Sequence, residues 1–563
     1  MNELLAVPPW VALLVAAAVA LVAPRRVGYA VGVALTALTV PWVLLAPAGT
    51  ALVVAPLGFE QTLLRVDGLT RPVAAVFGFV AALGVAYAYA TDADARTNVY
   101  ALAYMGASMA AVLAGDWLTL LLAWELMAVT ATVLVWHHGG DAVRPAFRYA
   151  VYHLLGGALL VAAVALHYTA VGDFAIIGGL ADGLPTVLGV LGVGVNLGFV
   201  GLHYWVPDTY PRPHVAASVV LAGFTTKAAV YALVRVVPDG HALVAFMGAA
   251  MALYAVWMAV LQTDARRLLS YHIVSQVGYM VAAVGVGTAL ATSGAVAHLA
   301  THVLYKGLLF MVAGALLYRV GTESLKQLGG LGRRMPLTFA AFLVAALAIS
   351  GVPGFSGFVS KGLVLKAVDG SGVAGAGLIW WALALAGVGT VLSFAKFGYY
   401  AFVRVPPEPL EVRPSRPALS AVLVVAAVPS VAFGLAPELL FGLLPGGSGG
   451  FEPYATGELT KAAAVAAGGV VGFAALRGPL SRAPSVDVDR VLHPAAFRSG
   501  RSAAALAAGT GRRSTAALAA ALAGVAAALD HDDPAALAES AIGTTLLVVG
   551  AGLGVVLLIA QFG

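Results

Sequence analysis

The chain has 563 residues, of which 61% are hydrophobic and only 10% charged, with a formal net charge of +5 and a mean hydropathy of +0.94. Soluble domains carry roughly 25% charged residues, so there is far too little charge here to coat a water-facing surface. The basic residues are scattered singly among apolar runs, which excludes a nucleic-acid footprint, and the absence of cysteine excludes disulfides, thiolate metal sites and cysteine nucleophiles.

From the N-terminus, Met1-Asn2-Glu3 lacks the basic region of a cleaved signal peptide, and residues 5–24 read as the first span. Apolar runs broken by Pro, Gly or charge then give about sixteen spans. They lie near 7–24, 27–46, 70–91, 97–114, 117–136, 148–171, 185–205, 216–237, 242–262, 272–290, 293–318, 336–365, 376–400, 417–436, 459–476 and 541–561. The run 336–365 is too long for one helix and contains Gly351, Pro353, Gly354 and Gly357, which predicts a broken helix. The glycines of 185–205 (Gly192, Gly194, Gly198 and Gly201) predict a similar break. Such breaks free backbone groups that protein or water must satisfy, so they line cavities. Residues 478–540 hold arginines, Ala-rich stretches and the run Asp530-His531-Asp532-Asp533. They fit either a surface amphipathic helix or a solvated cytoplasmic linker.

Alternate loops, starting with Arg25-Arg26, hold 22 of the 31 basic residues, including the seven arginines from Arg477 to Arg513. The other loops hold five: Arg65, Arg71, Arg235, Lys366 and Lys461. By the positive-inside rule both termini of this cell-membrane protein are expected outside, with an even number of spans. The fold class expected is an all-α polytopic membrane protein.

The spans themselves carry the chemistry. Glu125 is the one mid-span acid, and Lys227, Lys306, Lys361 and Lys396 are the mid-span bases. A charge at the bilayer centre costs at least about 2.5–3.5 kcal/mol, so such residues face partners or water and mark ion paths. His298, His302 and Lys306 stand at i, i+4 and i+8, one face of a helix. One buried lysine or histidine alone fits a structural ion pair or a satisfied core group equally well; the set reads as a chain of proton sites. Buried lysines exchange protons near neutral pH. The stripe is not a zinc site, because no HExxH glutamate follows and Lys306 would repel a cation. No nucleophile–His–acid set and no phosphate-binding glycine loop is found. No catalytic residue, metal or cofactor is therefore expected.

Several motifs follow in a fixed order over residues 98–404. They are Gly115-Asp116 with Trp124-Glu125-Leu126-Met127, His203-Tyr204-Trp205-Val206-Pro207-Asp208-Thr209-Tyr210-Pro211, Thr225-Thr226-Lys227-Ala228-Ala229, and Asp264-Ala265-Arg266-Arg267. After them come Ser275-Gln276-Val277-Gly278-Tyr279, His298 and His302 with Lys306-Gly307-Leu308, Gly329-Gly330-Leu331, and Gly351-Val352-Pro353-Gly354-Phe355 with Ser360-Lys361. In these residues the chain resembles the antiporter-like subunits of Mrp-type cation/proton antiporters and respiratory complex I, the D-type subunit of the Mrp antiporters being the most similar.

The resemblance implies two inverted five-helix repeats with broken helices and an ion path between them. Glu125 matches the family's fifth-helix glutamate, Lys227 the eighth-helix lysine and Lys361 the twelfth-helix lysine. His302 and Lys306, with His298 beside them, match the polar residues joining the halves. Lys396 and Asp116 are expected as accessory positions. Asn196 stands where the family usually has a seventh-helix lysine. Either Lys227 takes over the pairing with Glu125, or the first half works mainly as a coupling element. The resulting division is 1–96 (N-terminal helices), 97–404 (proton-translocating core), 405–477 (C-terminal helices), 478–540, and 541–563 (final span). The spans at 459–476 and 541–561, with the long stretch between them, resemble the C-terminal extension of the largest such subunit in complex I.

The function expected is the proton-translocating subunit of a multisubunit sodium or other monovalent cation/proton antiporter, a secondary transporter subunit rather than an enzyme. The alternatives are the proton-pumping arm of a redox complex of the quinone-reductase or membrane-hydrogenase type, and an energising subunit for inorganic-carbon uptake. The expected partners are other subunits of a hetero-oligomeric complex.

Overall fold

Each apolar run of the sequence closes its backbone hydrogen bonds within itself, as any segment must that lies in hydrocarbon. The computed structural model describes residues 7–482, and fifteen of the sixteen predicted spans fall on helices or helix pairs there. The final span at 541–561, and the 478–540 segment beyond residue 482, lie outside the described residues.

The first helices are α1 (Pro9–Val22) and α2 (Arg25–Leu45), followed by a two-stranded antiparallel hairpin, β1 (Gly49–Val54) and β2 (Gln61–Val66). No strand is expected from the apolar runs alone. The hairpin packs between spans: β2 buries Gln61, Leu64 and Val66, and the Thr62 carbonyl accepts from the Gly115 amide at 2.8 Å. Next come α3 (Thr70–Ala90), α4 (Ala95–Leu113), α5 (Trp117–Trp136), α6 (Val143–Val171), α7 (Leu184–Leu197), α8 (Trp205–Thr209), α9 (Val215–Gly223) and α10 (Thr225–Val236). The second half comprises α11 (Ala242–Leu261), α12 (Ala265–Val286), α13 (Ala289–Val320), α14 (Leu331–Arg334), α15 (Pro336–Ser350), α16 (Ser356–Asp369) and α17 (Ala376–Gly398). The described chain ends with α18 (Pro417–Leu435), α19 (Glu438–Phe441) and α20 (Thr456–Arg482).

Two successive runs of five spans stand out, α4 to α10 and α11 to α17, and in each the fourth member is broken. Both predicted breaks occur. At each, a glycine ends the first half-helix in the left-handed region, Gly198 at φ 77° and Gly351 at φ 73°, where a side chain would be strained. A further break at Phe224 separates α9 from α10. There the Thr225 amide donates to the Tyr104 hydroxyl of α4 at 2.9 Å, so the break has a tertiary cause.

Helix starts are set by polar caps: Asp94, Asp116, Asp264 and Thr288 each accept from an amide three residues on. For this reason the predicted start at 272 moves back to 265. The predicted start at 148 moves to 143, with no side-chain cap there, so Arg144 and Arg148 lie in α6. Arg148 then forms a two-pronged ion pair with Asp208 of α8, both contacts 2.7 Å. Arg266 does the same with Glu323, at 2.6 and 2.8 Å.

Two of the basic residues assigned from sequence to the base-poor loops, Arg65 of β2 and Arg235 of α10, converge on Asp67 at 2.9 and 2.6 Å. Burial opposes ionisation of Asp67, but Arg235, the Thr70 amide and Arg65 hold its carboxyl below the usual carboxylate range. The stability this gives is complete above the unfolded value of about 4 and is lost as pH falls through the lower folded value. Asp67→Asn is expected to cost about 2 kcal/mol at neutral pH. A thermal melt of the purified complex checks this, and the difference from the parent should vanish in strong acid.

The candidate proton path

At the centre lies α13, which packs against α3, α9, α10, α12, α15, α16 and α18 and so joins the two runs. Its 32 residues are nearly all buried, including the stripe His298, His302 and Lys306. The helical period brings these three onto one line, with the two imidazole centroids 6.2 Å apart.

Three of the four mid-span lysines share a device that their sequence neighbours do not reveal. Lys361 Nζ donates to the Ile349 carbonyl at 2.6 Å, at the C-terminus of the half-helix α15. Lys227 Nζ donates to Ala222 O at 2.5 Å, in the last turn of α9. Lys396 Nζ donates to Val260 O at 2.7 Å and Gln262 O at 2.6 Å, where α11 ends. The last carbonyls of a helix have no intrahelical donor and carry the negative end of its dipole. Each of these helix ends thus supplies a site for an ammonium with no carboxylate involved. Lys306 differs, donating to Leu269 O of α12 at 3.2 Å. Among the described residues no ion pair includes any of these four lysines.

The second half is continuous. Lys361 Nζ lies 5.0 Å from the Tyr279 ring centroid, which lies 5.5 Å from His298. His298 Nδ1 and the Ser360 hydroxyl are 3.0 Å apart, and Thr301 donates to the same hydroxyl at 2.8 Å. His302 follows, both ring nitrogens buried without a protein partner. Lys306 stands 5.9 Å from the Phe394 ring. On that ring also packs His272 of α12, at 4.8 Å between centroids and likewise with both nitrogens unpartnered. Nothing in the sequence singles out His272. It sits in none of the helical stripes; the packing of α12 on α13 brings it to Lys306, and α17 supplies the Phe394 ring between them. Lys306 is within electrostatic reach of both Lys227 and Lys361.

The first half is different. Glu125 on α5 has no ion partner among the described residues, and its Oε1 is buried without a hydrogen bond. Its carboxyl occupies the space beside Gly157 of α6 that a Cβ would fill. Asn196 of α7 lies against the neighbouring Gly156, and neither amide atom has a partner. Lys227 does not turn toward Glu125; its hydrogen bond goes to α9. Asp116 stands apart from the row, capping α5 through Thr119 N at 2.7 Å and accepting from the Thr119 hydroxyl and the Thr62 amide. Lys396 lines a small cavity of about 30 Å³ with Lys326, Arg477, Tyr400, Thr263, Leu325 and Phe473. No cluster of three or more metal-ligating side chains occurs among the described residues.

The comparisons with known proteins agree with this architecture. Residues 114–393 match the family model described as NADH:quinone oxidoreductase/Mrp antiporter, transmembrane. The chain is 32% identical over 341 residues to the D-type subunit of the Na(+)/H(+) antiporter of Alkalihalophilus pseudofirmus, covering 56% of this chain and 68% of that one. It is 30% identical over 316 residues to the N-type subunit of the NADH-quinone oxidoreductase of Desulforudis audaxviator, covering 52% of this chain and 62%, less than two thirds, of the relative. A chain of the Mrp complex from Dietzia sp. superposes with a TM-score of 0.70 at 25% identity, over 82% of this chain and 99% of that one. Eleven described helices are long and apolar enough to cross a membrane. The chain belongs to the family of multi-pass antiporter-like membrane subunits found in Mrp antiporters and NADH:quinone oxidoreductases.

Proposed function

We propose that this chain is the proton-translocating subunit of a multisubunit complex of the cell membrane that exchanges protons for a monovalent cation, sodium first among them. The observation that carries the reading is the buried row from Lys361 through Tyr279, His298 and His302 to Lys306, with His272 beside it. Alternating bases without carboxylate partners can pass a proton only by taking it up and giving it away in turn. Each one's occupancy is felt by the next. Lys361 of α16, held by the end of α15, and Lys396 of α17, held by the end of α11, are the terminal stations, and Lys306 and His302 on α13 join the halves. Glu125 is the acid of the first half. The antiporter relative supports the cation-exchange reading, and the quinone oxidoreductase relative supports a redox-driven complex as the second one.

The test uses the whole complex in sealed vesicles with an imposed pH gradient. Added sodium is expected to collapse the gradient, and Lys361→Ala in an assembled complex is expected to abolish that response. Unaltered exchange in the Lys361→Ala complex sinks the proposal. Collapse that needs a quinone and a reductant instead of sodium selects the redox reading.

Orientation is open to test as well, because the parent chain has no cysteine. With both termini outside, the exposed loop residue Asp173 lies outside and the exposed Ser415 inside. Asp173→Cys in intact cells should react with an impermeant maleimide, and Ser415→Cys only after permeabilisation; the reverse pattern inverts the topology.

A further inference from the structure

His153 of α6 is almost wholly buried, at 1% exposure. Its imidazole stacks on Tyr149 with centroids 3.8 Å apart and planes at 17°, and meets Trp205 edge-on at 4.5 Å. Nδ1 lies 2.9 Å from the Tyr149 carbonyl oxygen, so this nitrogen carries the hydrogen and donates it. That fixes the neutral tautomer and leaves Nε2 with a free lone pair, buried and without a protein partner.

Two chains of polar groups meet here. On one side, the Tyr149 hydroxyl is 3.1 Å from Thr225 Oγ1, which is 2.6 Å from the Tyr104 hydroxyl. Thr225 opens α10 two residues before Lys227. On the other side, Gly157 lies one helical turn beyond His153 on the same face of α6, and against it rests the Glu125 carboxyl. Glu125 Oε1, both amide atoms of Asn196 and His153 Nε2 are four buried polar atoms without a protein partner, drawn from α5, α6 and α7. Each such atom costs about 1–3 kcal/mol if left unsatisfied, so together they mark a place built for something polar and mobile. The rings packed on His153 are those of Tyr149 and Trp205, and no described lysine or arginine hydrogen-bonds to it.

We propose that His153 is the proton relay between Glu125 and Lys227 in the first half of the path. This rests on the proton-translocation reading above. In the step, the protonated Glu125 carboxyl gives its proton through water to Nε2, leaving a carboxylate and an imidazolium. The imidazolium then releases its Nε2 proton toward the Tyr149 hydroxyl; the Tyr149 and Thr225 hydroxyls each take one proton and pass on another, and the neutral amine of Lys227 receives the last. No electron moves and the starting tautomer returns. The base of the first half is thereby supplied by α6, while α7 contributes only the neutral Asn196.

A packing role for His153 predicts the opposite behaviour of one variant. Phenylalanine keeps the stack on Tyr149 and removes an unsatisfied nitrogen, so His153→Phe should assemble at least as well as the parent. In vesicles holding the whole complex, His153→Phe is expected to lower proton-coupled exchange about tenfold or more, at unchanged assembly and melting temperature. Asn196→Lys in the His153→Phe background, which returns a base to the neighbourhood of Glu125, is expected to restore a measurable part of the rate. Should His153→Phe fail to assemble, His153→Gln is read in the same way. Parental rates in the assembled variant, or loss that Asn196→Lys does not repair, overturn the relay. Lys361→Ala run alongside separates the two levels: its loss of exchange with His153→Phe unaffected removes the relay alone.

Discussion

Gly157→Ala is expected to leave the complex folded and to lower proton-coupled exchange on the order of tenfold to a hundredfold, the scale set by displacing a reacting group by about an ångström. A Cβ at this position would stand 2.8 Å from Glu125 Cδ and closer still to Oε1. Those atoms are the far end of a flexible side chain, so the carboxyl swings aside at little cost in stability. The substitution also favours the helix, since alanine is about 0.8–1.0 kcal/mol better than glycine in a helix interior. Melting temperature and exchange should therefore move in opposite directions. The control is Glu125→Gln, which should lower exchange without touching the backbone. If Gly157→Ala exchanges protons at the parental rate, the place of Glu125 beside α6 has no bearing on transport.

The spans and the mid-span residues were legible because bilayer energetics act residue by residue. An apolar run of about 20 residues announces a helix, and a lysine within one announces an exception. Thus Glu125, Lys227, Lys306 and Lys361 could be picked out one at a time, and the breaks near Gly198 and Gly351 followed from local backbone freedom. What stayed hidden depends on contacts distant in sequence. The break at Phe224 exists because Tyr104, 121 residues before Thr225, takes the Thr225 amide. The carbonyls that hold Lys396 come from the end of α11, 134 and 136 residues away. His272 and His153 look like ordinary core histidines in a one-dimensional reading; their unpartnered nitrogens appear only once α12 meets α17 and α6 meets α8. The pairing of Glu125 with Lys227, one of two outcomes expected from Asn196, is not adopted because the half-helix α9 offers the ammonium a nearer acceptor.

Gly278→Val is expected to prevent assembly, the largest stability effect foreseen for a single substitution here. The contact of α11 with α12 is backbone on backbone. A Cβ at Gly278 would lie 2.5 Å from both Ala252 N and Gly248 O, and one at Gly248 would lie 2.6 Å from Gly278 O. Small residues at this spacing let membrane helices approach closely, where lipid gives no hydrophobic drive and packing must hold them together. Unlike the carboxyl beside Gly157, a helix backbone cannot step aside without parting the two helices along their length. The cost is therefore about 3 kcal/mol or more. Parting them would also carry the Val260 and Gln262 carbonyls away from Lys396, and Leu269 and His272 away from Lys306. Gly278→Ala, with one carbon instead of three, should give a complex that is present but less stable, with exchange reduced in proportion to the assembled fraction. Full assembly of the Gly278→Val complex, measured by co-purification of its partner subunits, would contradict the close packing of α11 on α12. The close contact and the buried row of bases then stand or fall together, since α12 is at once the partner of α11 and the helix that positions Tyr279 and His272.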